Sequence, residues 1–265
     1  MPSRPTLSLV VPNYNFGTYL RELLAALNEL KNRDQVEVIL ADGGSTDTSL
    51  EVAAAFLQTQ DRLIHGPDKG QADAISKGLS IATGHWFMYQ NSDDQFEVPT
   101  LEWFLANAPL PGRCDVVAFD QDLLLETTTG GWYRQAAFRH HSPIGWRQLS
   151  WSIYYTNQST IYDRCKAVET GFDATKRFAM DYDFVVRFFK QHRPAVLTVD
   201  QVLGMQRMHG DTKTSTMQDV CAEETAEISR SEFSMLDRSV GFVQAALYHA
   251  AKHIARRTQK PTGAS

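Results

Sequence analysis

The residues best suited to chemistry in this 265-residue chain lie at His85 to Phe96, HWFMYQNSDDQF. Trp86, Phe87 and Met88 read as a buried strand, and the chain turns polar at once at Asn91, Ser92, Asp93 and Asp94. Adjacent carboxylates repel each other and need a positive partner, which a hard divalent cation carrying a diphosphate supplies. The same run also suits a helix cap or a solvated turn. A second acidic group, Asp181-Tyr182-Asp183, opens a helix that buries Phe184, Val185, Phe188 and Phe189. Either carboxylate there is a charged cap on the helix dipole or a general base aimed into a cleft. Arg207, His209 and Lys213 follow one another closely and can hold phosphates, complete a metal shell or sit as solvated loop charges. From Phe138 to Tyr155 the chain is rich in rings, Trp146, Trp151, Tyr154 and Tyr155 among them, which either stack on the face of a sugar or fill the core. His140 and His141 are too isolated from other ligands to make a metal site.

These groups need elements to position them, and the first hundred residues alternate strand and helix. Leu7 to Pro12 is a continuous apolar run ending in Asn-Tyr-Asn, as a central parallel strand should. Leu20, Leu23, Leu24, Leu27 and Leu30 are spaced as one helix face, and Val36 to Leu40 is a second strand. Gly43 and Gly44 permit a tight turn before a helix over 48–58. Leu63 and Ile64, a helix from Gln71 to Leu79 and the strand Trp86 to Tyr89 continue the rhythm, which implies a doubly wound, largely parallel sheet. Ligands of such sheets collect at the carboxyl ends of the strands, where Asn13, Tyr14, Asp42, Asp68, Lys69, Asp93 and Asp94 can all meet. Further on, a helix over 101–106, a strand over 115–120, a return at Gly130 to Tyr133 and a strand from Val196 to Val202 are expected, with 206–214 as a loop. Helices over 216–236 and 240–257 form a C-terminal extension. Its apolar face (Phe242, Val243, Ala246, Leu247, Ala250, Ile254) and its basic run (Lys252, His253, Arg256, Arg257, Lys260) suit a membrane surface, the chain's own domain or a second subunit.

With 43% apolar residues the chain can bury a full core. It offers neither a membrane span nor a signal peptide, so a cytoplasmic protein is expected. Three widely spaced cysteines argue against a disulfide framework and a zinc site, and a net charge of -5 against a general nucleic-acid binder. Asn157-Gln158-Ser159 fits a glycosylation sequon, which has no meaning in the cytoplasm. There is no Gly-x-Gly-x-x-Gly after the first strand and no Gly-x-x-x-x-Gly-Lys-Ser/Thr loop, which disfavours a dinucleotide-dependent oxidoreductase and a nucleotide hydrolase.

VVPNYN at 10–15, ADGGSTD at 41–47, PDKGQADAISKG at 67–78, TGHWFMYQNSDD at 83–94, GFDATKRFAMDYDFVVRF at 171–188 and MQRMHGDTKT at 205–214 stand in an order that resembles the inverting nucleotide-sugar glycosyltransferases of family two. The resemblance covers about residues 7–215. It implies a GT-A fold: a Rossmann-like mixed, mainly parallel sheet flanked by helices, with residues 1–98 as the nucleotide-sugar half, 99–215 as the acceptor half and 216–265 as a helical extension. It places Pro12, Tyr14 and Asp42 around the nucleotide base, with Asn15 and Gly43 in the same motifs. Asp68, Lys69 and Asp73, with Gly70 between them, fall near base, ribose or phosphate, and Trp151 and Gln158 on the acceptor side. Asn91-Ser92-Asp93 stands where the family has its Asp-x-Asp metal motif; the first Asp is Asn here, leaving Asp93, helped by Asp94, to hold Mn or Mg. Asp181 matches the acceptor-activating carboxylate, preceded by Met180 where many relatives have Glu, with Asp183 as the neighbouring candidate. Arg207, His209 and Lys213 match the basic loop that approaches metal or diphosphate. The expected activity is metal-dependent, inverting transfer from a nucleotide diphosphate sugar, by family habit a UDP-sugar, to a saccharide or lipid-linked hydroxyl in bacterial surface polysaccharide synthesis. A catalytically silent nucleotide-sugar-binding module is the alternative. Peripheral contact with the inner face of the membrane and a homodimer are the expected associations.

Overall fold

β1 (Leu7–Asn13) and β2 (Val36–Asp42) are buried along their whole length, and the sequence alternates so that each face finds apolar cover. Leu7, Leu9 and Val11 point to one side, where Leu20, Leu23, Leu24 and Leu27 of α1 (Gly17–Asn28) meet them. Val10 and Ile39 point to the other, against Ile75 and Leu79 of α3 (Gln71–Ile81). This is the period of two of a strand covered by the 3.6-residue face of a helix. The structure is a computed structural model that describes residues 5–139, 143–151, 155–209 and 217–258.

Among the described residues nine strands form one sheet in the order β3-β2-β1-β4-β8-β6-β9-β5, with β7 paired to β6. The half built from β3 (Arg62–His65), β2, β1 and β4 (Trp86–Tyr89) is parallel, with α2 (Ser49–Phe56) among its crossovers. The other half is mixed. β8 (Thr160–Asp163) lies antiparallel between β4 and β6 (Val116–Glu126), β6 runs parallel to β9 (Val196–Met208), and β5 (Gln95–Phe96) and β7 (Trp132–Phe138) add antiparallel pairs. α4 (Val98–Asn107) covers the face of α1, and α6 (Met180–His192) the face of α3, beside α5 (Arg164–Thr170).

Two registers position the rim. Asn13 of β1 lies opposite Asp42 of β2, and Gln95 of β5 opposite Met205 of β9, which brings the acidic loop after β4 beside Arg207. The expected end of the last strand at Val202 is corrected: β9 continues to Met208 because β6 keeps pairing as far as Leu125 with Met208. Gln206 and Arg207 are therefore strand residues, and ladder hydrogen bonds outweigh their polar composition. Gly204 makes room for this, since a Cβ there would stand 2.3 Å from the Gln158 carbonyl oxygen.

α7 (Gln218–Glu232) and α8 (Met235–Thr258) follow. The start of α8 docks on the chain's own domain, at the turn 146–150: Arg147 pairs with Asp237 at 2.8 Å, and Gly241 packs where a Cβ would meet the Arg147 carbonyl oxygen. The expected apolar face is rotated, because Gly241 and Ala245 face inward while Val243 is 55% exposed.

Candidate functional site

The carboxyl rim of the sheet opens into a cavity of about 560 Å³. Of the residues singled out in the sequence, Pro12, Asn13, Tyr14, Gly43, Asp68, Gly70, Asn91, Ser92, Asp93, Asp94 and Arg207 line it, together with Phe16, Gln71, Ala74 and Gln206. Phe16 adjoins the motif at 10–15, while Gln71 and Gln206 lie inside the motifs at 67–78 and 205–214, though none of the three was singled out.

At one end Tyr14 is 60% exposed. A Cβ on Gly43 would stand 2.7 Å from an Asp68 carboxylate oxygen and 3.4 Å from the Tyr14 ring, so only glycine lets the two flank one slot. Asp68 is held in turn by the Gly70 N–H at 2.8 Å. Asp42 does not line the cavity. Its buried carboxylate accepts from Asn13, from the Gly44 and Ser45 backbone, and from the Ser45 hydroxyl, and it pairs with His65. Burial alone would raise its pKa, but the hydrogen bonds from Ser45, Asn13 and His65 outweigh burial and hold it below the usual carboxylate range. Asn15, at φ 57°, ties the first loop to the second by accepting from Thr46 N–H and donating its own N–H to Ser45. Asp73 accepts from the Lys69 N–H at 3.0 Å and pairs with Lys77, and Lys69 is exposed.

Asp42→Ala is expected to cost about 3 kcal/mol at pH 7, because several buried donors lose their acceptor. The depressed pKa fixes the sign of its pH dependence. The carboxylate's contribution is complete above the unfolded range near pH 4 and is lost as pH falls through the lower folded value. Urea unfolding of wild type and Asp42→Ala should show a gap that is wide at pH 7 and narrows at pH 3.

At the other end the acidic loop divides its work. Asn91 accepts from Gln71 at 2.5 Å and donates to Asp94 at 3.1 Å. An amide can do both, whereas an ionised carboxylate in its place could only accept. Asp94 is 2% exposed and accepts from Gln158 at 2.7 Å and from the Arg207 N–H at 2.9 Å. Burial, with the charge of Asp93 added, pushes its carboxyl up to about 8 despite these bonds. Both Asp94 oxygens are engaged, whereas Asp93 Oδ2 lies 3.3 Å from His209 Nε2. One carboxylate and one imidazole fit a divalent ion that arrives with diphosphate oxygens and water. Among the described residues no three ligating side chains cluster.

Arg207 lines the cavity but is clamped. Its guanidinium pairs with Glu22, lies 4.8 Å from the Tyr19 ring and 5.4 Å from that of Trp132, and reaches the Asp93 carbonyl at 3.3 Å. Lys213, His140, His141 and Tyr154 lie outside the described residues. Asp183, the other candidate base, is 5% exposed and ion-paired with Arg187, which also holds the Thr170 and Gly171 carbonyls. Asp181, half-buried in the first turn of α6, accepts from the Tyr182 N–H and lies outside the cavity lining. Trp151 and Gln158 are also off the cavity. Trp151 donates to the Arg238 carbonyl at 2.8 Å and packs on Phe242, while Gln158 is spent on Asp94.

The family model described as glycosyl transferase family 2 matches residues 8–172. The chain belongs to that family. It is a glycosyltransferase, and its mixed α/β sheet is the GT-A fold. The PGL/p-HBAD biosynthesis glycosyltransferase of Mycobacterium tuberculosis is 28% identical over 199 residues, 73% of each chain. Glycosyltransferase GlyG of Streptococcus pneumoniae is 41% identical over 92 residues, 33% of this chain and 30% of that one. Among solved structures, S. aureus TarS 1–349 in complex with UDP-GlcNAc superposes with a TM-score of 0.65 at 17% identity, covering 91% of this chain and 71% of that one. The mannosyltransferase PcManGT from Pyrobaculum calidifontis, in complex with GDP-Man and Mn2+, gives 0.64 at 16%, covering 97% and 77%. At those identities the structures speak for the shared fold.

Proposed function

We propose that the cavity binds a nucleotide diphosphate sugar, with a UDP-sugar as the first candidate, and that the enzyme transfers the sugar with inversion to a hydroxyl of a saccharide or lipid-linked acceptor. The observation that carries this reading is Asp93 in the lining at one end of a cavity whose other end is the Tyr14–Asp68 slot, with His209, itself off the lining, 3.3 Å from the Asp93 carboxylate. The slot suits a planar base, with Tyr14 as stacking surface and Asp68 as acceptor for a ring N–H. Asp93 and His209 would hold Mn or Mg, which when bound neutralises charge on the departing diphosphate. Asp181 takes the proton of the acceptor hydroxyl as its oxygen attacks the anomeric carbon, and the bond to the diphosphate oxygen breaks with its electron pair leaving on the diphosphate. One displacement of this kind inverts the anomeric centre. Residues 1–98 then serve the donor and 99–215 the acceptor.

Thermal stabilisation by UDP-GlcNAc and GDP-Man, each with and without Mn2+, tests the binding half. Release of nucleoside diphosphate in the same mixtures separates an enzyme from a silent binding module. Stabilisation by neither nucleotide sugar would overturn the reading.

A lipid-linked acceptor would bring the enzyme to a membrane face, and α8 supplies a surface for it. Met235, Leu236 and Val243 are exposed, and Lys252, His253, Arg256 and Arg257 follow in the sequence. Among the described residues no helix is long and apolar enough to cross a membrane. Co-sedimentation with phosphatidylglycerol vesicles but not phosphatidylcholine vesicles is expected, and Leu236→Ser with Val243→Ser should abolish it. A homodimer through the same surface would appear instead as a concentration-dependent mass in sedimentation.

A further inference from the structure

Helix α6, which carries Asp181 in its first turn, begins on a residue that cannot cap it. Ala179 stands at the N-cap, and alanine has no side-chain acceptor for the orphan N–H groups of a helix start. The acceptor comes instead from the C-terminal extension. Glu224 of α7, half-buried, takes three successive backbone N–H groups: Arg177 at 2.8 Å on one carboxylate oxygen, Phe178 at 2.9 Å and Ala179 at 2.8 Å on the other. Burial alone would raise its pKa, but these three bonds, with the charge of Lys176 behind them, hold it below the usual carboxylate range. The cap is therefore a charged one, at the end of the helix where the dipole favours negative charge.

α7 can deliver this carboxylate because it is fastened around it. Ile228, one turn further along the same face of α7, is buried in the core that holds Phe184, Val185 and Phe188. Glu227 pairs with Lys176 at 2.8 Å, Glu232 with Lys190 near the far end of α6 at 3.1 Å, and Phe233 stacks on Trp146 at 5.1 Å and 10°. What Glu224 holds is the turn around Asp181. The Asp183 N–H donates to the Ala179 carbonyl at 2.9 Å, closing the first turn, and Asp181 lies between the two. Ala179 is thus pinned by Glu224 on one side of Asp181, and Asp183 is clipped to Arg187 on the other.

We propose that Glu224 is a positioning residue for the proton transfer: from the C-terminal extension it fixes the start of α6, and with it the place from which Asp181 meets the acceptor hydroxyl. Glu224 lies off the cavity lining and acts only through Asp181. This rests on the reading of Asp181 as the base.

Hydrolysis of UDP-GlcNAc with Mn2+, water acting as acceptor, is measured for wild type, Glu224→Ala, Glu224→Gln, Glu232→Ala and Asp181→Asn. GDP-Man replaces it if that is the nucleotide sugar that stabilises the protein. A reacting group displaced by about 1 Å can cost about 10²-fold in rate. Glu224→Ala should lower kcat by about tenfold or more, with donor KM and the thermal shift given by donor and Mn2+ as in wild type. Glu224→Gln, which keeps one accepting oxygen, should fall between. Glu232→Ala, which unfastens α7 at the far end of α6, should keep wild-type kcat. Hydrogen exchange read by mass spectrometry should speed up about tenfold over 177–183 in Glu224→Ala and stay as it was over the rest of α6. A kcat lost equally in Glu232→Ala, or a loss in donor KM rather than kcat, would mean general loosening and overturn the proposal. Should Glu224→Ala fail to fold, Glu224→Gln decides, and wild-type kcat in it overturns the proposal too. Asp181→Asn with wild-type hydrolysis would remove the base and this proposal together. An inactive Asp181→Asn beside a fully active Glu224→Ala would remove only the proposal.

Discussion

Asp93→Ala is expected to lower donor turnover by about 10³-fold or more and to erase the effect of Mn2+ on donor binding. Asp93 and Asp94 both line the cavity, but Asp94 is spent on Gln158, Asn91 and the Arg207 backbone, whereas the Asp93 carboxylate lies 3.3 Å from His209. Removing Asp93 leaves one imidazole, which holds Mg or Mn poorly because these ions prefer oxygen. Calorimetry should show nucleotide-sugar affinity in Mn2+ falling to the metal-free level, with the melting temperature little changed. Metal-dependent binding of wild-type strength in Asp93→Ala would refute the assignment. Asp94→Ala should instead destabilise the fold, since three hydrogen bonds end on that carboxyl, two of them from distant parts of the chain.

Asp181→Asn should lower kcat by about 10²- to 10⁴-fold, the range of a lost general base, and leave metal-dependent donor binding as it was. An amide keeps the size of the side chain and cannot take the proton. Asp183→Asn separates the two carboxylates of the motif. Its loss strands Arg187 beside the Thr170 and Gly171 carbonyls, so about 3 kcal/mol of stability should go while kcat in the folded fraction stays near wild type. If Asp183→Asn lost turnover at full stability and Asp181→Asn did not, the roles would be reversed.

Strands β1, β2 and β4 were legible because strands buried on both faces read as unbroken apolar runs, and α1 because its leucines keep one helical face. β8 was not. It has four residues, too few for a period, and it earns its place in the sheet from β4 and β6 on either side. The overrun of β9 to Met208 was equally hidden, since its cause is a register with β6 set some eighty residues earlier in the chain. At the site, Tyr14, Gly43, Asp68 and Asp93 could be picked from local motifs. The separation of Asp93 from Asp94 could not, because what buries Asp94 is Gln158, 64 residues away, and the Arg207 N–H, 113 residues away. Trp151 looked like a sugar platform for the same reason: nothing near it in sequence announces that α8 will occupy its indole N–H.

By itself the sequence determined the family, the alternation of strands and helices in the first half and the gathering of acidic loops at one rim, all of which follow from periodicity and from motifs a few residues long. Tertiary structure decided what each charged group is free to do. Asp42 became the knot between two loops, Asp183 and Arg187 became a clip, Arg207 was clamped by Glu22 and two rings, and Asp94, next to Asp93 at the cavity, was taken up by Gln158 and the Arg207 N–H. The physical reason is that the state of a carboxylate depends on its burial and on the donors that reach it, and those donors arrive from strands and helices far away along the chain.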